Sequence, residues 1–137
     1  MILIKDIPQV PLRTALFKLL KDCQTHDVHG DVPERAALPY ITLGAMSFKP
    51  LGNKTTVIWQ ATASIEVWAD GNQKREMNDT LNDICVLLSY YGTELEIEGY
   101  KVIDVNLDLI EAYPETTAGY HGTVTVVFNL QKGKVQQ

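Results

Sequence analysis

The chain has 137 residues, 45% of them hydrophobic and 21% charged, enough for one domain that buries roughly two-thirds of the surface its unfolded form exposes. Its formal net charge is -5, with twelve Lys and Arg scattered along the sequence; this argues against nucleic acid as the main partner, which needs a clustered basic face. No apolar run reaches the ~20 residues of a membrane span, and "MILIKDIPQV" has no small-residue cleavage site, so a soluble intracellular protein with Cys23 and Cys85 reduced is expected.

A single domain over residues 1–137 is predicted, compact over about 10–131 and with a loose C-terminal tail at 132–137. The first helix is predicted over Pro11–Cys23. Proline suits the first turn, and Leu12, Ala15, Leu16, Leu19, Leu20 and Cys23 fall on one apolar stripe. Cys23 closes that stripe, so burial is expected. "QTHDVHGDVPERAA" reads as a loop of turn formers. A partly covered strand follows over Tyr40–Phe48, opened by Pro39, and "KPLGNKT" is a loop with Gly52-Asn53 at its tip.

The clearest strand lies between Thr55 and Ala69. Val57, Trp59, Ala61, Ala63, Ile65, Val67 and Ala69 alternate with Thr56, Gln60, Thr62, Ser64 and Glu66, the period-two pattern of a strand with one face in a core. Extended throughout, it would run about 50 Å, so a bulge or a projecting end is expected. Ile58 and Trp68 interrupt the polar face. Asp70-Gly71-Asn72 reads as a turn and cap before a second helix over Gln73–Tyr91, which Gly92 stops. The last strands are placed at Tyr100–Ile110 and Thr123–Leu130. In the former, Ile103, Val105, Leu107 and Leu109 share one face, with Asp104, Asn106 and Asp108 on the other. The order α-β-β-α-β-β gives an α+β two-layer sandwich: a mainly antiparallel sheet of about four strands, with both helices on one face.

Catalytic signatures are missing. There is no Gly-rich phosphate loop, G-x-S-x-G, H-E-x-x-H or C-x-x-C. "HDVHGD" gathers His26, Asp27, His29 and Asp31, side chains able to bind a metal, but at no recognised metal-loop spacing; a solvated polar loop is the simpler reading. The Asp104/Asp108 row fits a wet outer sheet face better than an acid–base pair. In "TTAGYHGTVTVVFNL", Gly119 and Gly122 look like punctuation at a strand entry, and nothing in the sequence ties a nucleophile or carboxylate to His121. No catalytic residue, metal or cofactor is assigned.

"VPERAALPYITLG", Trp59 with "ATASIEVWAD" and the helix after it, and "YHGTVTVVFNL" resemble, in order and spacing, the tail-completion (tail-to-head joining) proteins of long-tailed bacteriophages, a group similar in fold to tail terminators. The likeness covers roughly residues 10–131. His29 departs from it, standing where an aromatic is expected. The resemblance implies a non-enzymatic virion assembly protein that caps the tail tube and helps join it to the head. Its partners would be the tail tube protein and a head-completion or connector protein, with self-association into a ring of six copies and with neither membrane nor specific nucleic acid. It would sit at the head-proximal end of the tail, and in the host cytoplasm during assembly.

A ring that closes by rotation needs heterologous contacts, for which edges and loop tips are natural places. The candidate interface residues are Lys49, Pro50, Leu51, Gly52, Asn53 and Lys54, with outward-facing Ile58 and Trp68; the loop Thr93–Glu98 is a further contact point. The alternative is a small metal- or ligand-binding module built on the His26–Asp31 loop.

Overall fold

The computed structural model describes residues 6–53, 55–115 and 119–133. Lys54, in the candidate loop, and residues 134–137 of the expected tail lie outside the described residues.

Helix α1 spans Gln9–Cys23, two residues earlier than the stripe alone indicates; Pro11 sits in its first turn and Leu12 N–H donates to the Pro8 carbonyl. Leu12, Ala15, Leu16 and Leu20 are buried, but Cys23 is exposed. The buried stripe therefore ends at Leu20, one turn before the helix does.

The loop after α1 contains a strand that composition hides. Residues Asp27–His29 form β1, parallel to Tyr40–Thr42 at the start of β2 (Tyr40–Pro50). Three residues are too few for a periodicity signal. β3 covers Ile58–Ala69 and β5 covers Tyr120–Lys132, while the long β4 runs Tyr100–Pro114. The sheet has five strands in the order β1-β2-β3-β5-β4; it is mainly antiparallel, as expected, but the unexpected β1 adds a fifth strand and one parallel pair that makes it mixed.

In β3 every odd residue from Trp59 to Ala69 is buried and every even one only half-buried, as the alternation predicts. The expected bulge is not in β3. It lies in its neighbour, where the register shifts between Leu43 and Met46, and Thr55–Val57 belong to the preceding loop. Asn53 organises that loop: its side-chain oxygen accepts from Thr55 N–H, the Thr55 hydroxyl and Thr56 N–H at 2.9–3.0 Å.

Helix α2 spans Lys74–Tyr91. Its N-cap position is Gln73, with no side-chain cap, so Asp70 does not cap it; the Asp70 carboxylate instead accepts the Gly71 N–H within the turn. A 3₁₀ turn over Gly92–Glu94 continues from it, and Gly92 stays right-handed. A Cβ there would stand 3.2 Å from the Val105 methyls, so glycine lets the helix end approach β4.

Leu12, Leu16 and Leu20 of α1 and Met77, Leu81, Ile84 and Leu88 of α2 share one core with Ile41, Ile65, Val67, Val124, Val126, Phe128 and Leu130. Both helices thus cover one sheet face and leave the other without a second layer. β4 departs most from expectation. Register shifts after Val102 and after Leu107 put Val102, Val105 and Leu107 opposite core residues of β5, while Ile103 and Leu109 are half-exposed. Two extra residues defeat a strict period of two. β5 also outruns its predicted end: Lys132 N–H donates to Val57 and Gly133 N–H to Gly99.

Candidate assembly interface

The predicted interface residues separate into two groups. Lys49, Pro50, Leu51 and Asn53 are exposed at one end of the sheet, and Leu51 N–H donates to the Ile58 carbonyl at 2.8 Å. Gly52 is required there, because a Cβ would stand 1.9 Å from the Thr56 carbonyl oxygen. Trp68 is not part of this group. It lies ten residues farther along β3, about 33 Å at strand rise.

Trp68 belongs to a polar cluster on the sheet face that the helices leave bare. Its indole N–H donates to the Thr42 hydroxyl at 3.0 Å, and its ring stacks on His121 with centroids 3.8 Å apart and planes at 10°. The stack follows from register, since Trp68 and His121 are directly opposite across β3 and β5. His121 is only 7% exposed although no layer covers it. Its Nε2 lies 3.1 Å from Glu66 Oε1, while Nδ1 is 3.0 Å from Glu115 Oε1 and 2.8 Å from the Tyr113 hydroxyl.

The neighbouring strands shape this cluster. The β2 bulge includes Gly44, and a Cβ there would meet the Glu66 carboxylate at 2.8 Å. Gly119 has φ +88°, and a Cβ would come within 2.3 Å of the Ala69 carbonyl; its own carbonyl accepts the Glu115 N–H at 3.0 Å, which holds Glu115 near the start of β5. The glycines flanking Tyr120-His121 therefore serve the strand entry. At Gly122 a Cβ would stand 2.8 Å from the Leu81 side chain, so glycine there lets α2 settle on β5.

Chemically the cluster is a clamp. Protonated on Nε2 alone, the ring donates to Glu66 and accepts the Tyr113 hydroxyl; protonated on both nitrogens, it donates to Glu66 and Glu115 together. Both ring nitrogens have protein partners, and the two carboxylates approach opposite nitrogens, so they do not converge on one point. The partners of His121 come from β3, β4 and the β4–β5 turn, which is why sequence spacing did not tie them to it.

The His26–Asp31 loop does not gather ligands either. Gln24 accepts the His26 N–H, and its amide donates to the His26 carbonyl, while His29 packs edge-on against Tyr40 at 5.3 Å. Among the described residues no three His, Cys, Asp or Glu side chains are grouped to hold a metal ion. Asp104 accepts from the Asn129 amide at 2.8 Å, and Asp108 falls in the second register shift of β4, so the expected acidic row is broken. Among the described residues no helix is long and apolar enough to cross a membrane.

The described fold is matched by a chain of a virion of a native gene transfer agent particle, at 17% identity and a TM-score of 0.70, covering 89% of this chain and 95% of that one. No curated protein sequence matches. The family described as tail completion protein gp17 matches residues 14–128. The chain belongs to that family. This tail-completion protein is accordingly a phage virion structural protein with a role in tail assembly.

Proposed function

We propose that the protein acts without catalysis at the head-proximal end of the phage tail, where copies form a ring that caps the tube and meets the head connector. The observation that carries this reading is the family match over residues 14–128. The gene transfer agent virion chain of the same fold agrees with it. Lys49–Lys54 with Ile58 form one contact surface of the ring. Trp68 serves it indirectly, by holding the bare sheet face flat for a neighbour. Gold-labelled antibody against the protein should decorate the head–tail junction of purified particles. Label at the distal tail tip, or none on intact particles, would sink the assignment.

A further inference from the structure

Two unlike surfaces stand side by side at the end of the sheet where β5 finishes. One is the loop between β2 and β3. No Asp or Glu occurs between Ala36 and Ile65, so Lys49 and Lys54 have no acidic residue beside them in that stretch of chain. Leu51, between them, is 46% exposed. The loop is also held in shape: the Leu51 N–H is bonded to the Ile58 carbonyl, and Asn53 accepts three hydrogen bonds from Thr55 and Thr56. A contact made through it therefore loses little ordering entropy.

The other is a groove of about 370 Å³ between the start of α1 and the segment leading into β4. Ile7 and Val10 line it and are 55% and 74% exposed, an apolar pair that the fold leaves uncovered. Its charges are Asp6, Glu96 and Glu98 against Lys132, and Lys132 is already paired with Asp6 at 3.3 Å. Lys18 and Lys101 stand on either side, but among the described residues neither Glu96 nor Glu98 forms an ion pair. Backbone bonds fix how loop and groove are set: Lys132 N–H donates to Val57 at the foot of the loop, and Gly133 N–H to Gly99 in the groove wall. Among the described residues, none of the loop lines the groove of its own chain.

We infer that the β2–β3 loop of one copy docks in the groove between α1 and β4 of the next, with Leu51 against Ile7 and Val10 and the loop lysines against Glu96 and Glu98. The inference rests on the ring reading and names the surface that receives the loop. A rigid apolar tip flanked by cations matches an apolar groove flanked by carboxylates in both shape and sign. Both surfaces sit at one end of the sheet, so copies related by rotation about an axis along the strands bring them together at the same height, as a closed ring requires.

Cross-linking in particles tests it. In a Cys23→Ser background, Leu51→Cys and Val10→Cys are placed singly and together and supplied in trans to a phage whose own copy is stopped. Purified particles are treated with a short bismaleimide before denaturing electrophoresis, with the background chain, which keeps Cys85, as the blank. Only the chain carrying both new cysteines should give a ladder of dimers, trimers and larger species, because each head-to-tail contact joins one copy to the next. Independently, Lys49→Glu with Lys54→Glu, and Glu96→Lys with Glu98→Lys, should each lower plating at least about tenfold, and all four in one chain should restore it. Val10, Lys49, Leu51, Glu96 and Glu98 are exposed, so unfolding midpoints should stay near wild type. Dimers alone would show a two-fold contact, and Leu51→Cys joined to a different particle protein would show that the loop meets the tube or connector; either overturns the inference. No ladder and no charge rescue, with a ring still visible by cryo-electron microscopy, would overturn it too and leave the ring standing. A single copy at the tail end would refute the ring itself.

Discussion

His121 owes its burial to four side chains: Glu66, Trp68, Tyr113 and Glu115. Removing the imidazole forfeits the stack, worth about 0.5–1.5 kcal/mol, and leaves two carboxylates facing each other without the donor between them. Both carboxylates keep contact with water, at 27% and 31% exposure, which limits the penalty. His121→Ala should therefore destabilise by about 1–3 kcal/mol in urea unfolding, and His121→Phe should recover the stacking share only. Wild-type midpoints for both would show that the cluster contributes nothing. Trp68→Ala should cost a similar amount, so loss of assembly in that variant has to be counted per folded molecule. The two thiols differ as well. Burial pushes the Cys85 thiol above its ordinary pKa, lowering its thiolate fraction at any working pH, whereas Cys23 is exposed at the end of α1. Alkylation at pH 8 followed by peptide mass mapping should find Cys23 modified first; equal rates would contradict the helix packing.

Elements with one regular period were legible in the sequence, and irregular ones were not. The alternation from Trp59 to Ala69 predicted the buried face of β3 residue by residue, and in α1 the stripe from Leu12 to Leu20 is buried except at Leu19, which is only partly so. β4 was misread because two extra residues change which parity faces the core, and no side-chain pattern marks a bulge. β1 was missed because three residues have no period. Even within the candidate site the limit was the same: Trp68 was correctly placed outward, but its partners Thr42 and His121, and the Tyr113 and Glu115 that hold His121, come together only through register. Glycines report local geometry more faithfully. Gly119→Ala forces an L-residue to φ +88° and drives a methyl against the Ala69 carbonyl, so a loss of about 2 kcal/mol or more is expected. Gly71→Ala, with nothing within 4 Å of the new methyl, should stay within about 0.5 kcal/mol. Thermal or urea unfolding of the pair reads the difference directly; equal stability would mean that the β4–β5 turn relaxes freely.

For the molecule as a whole, two helices on one face leave a bare sheet face whose polar cluster is internally satisfied. Function was legible only through the order of motifs along the chain, because an assembly protein needs complementary surfaces rather than residue types at fixed spacing. The most direct test of a tail-completion role is electron microscopy of an induced lysate in which this reading frame carries an early stop codon. The account predicts DNA-filled heads beside unjoined or overlength tails, with joined particles returning when the protein is supplied in trans. Normal, infectious particles in that lysate would contradict it.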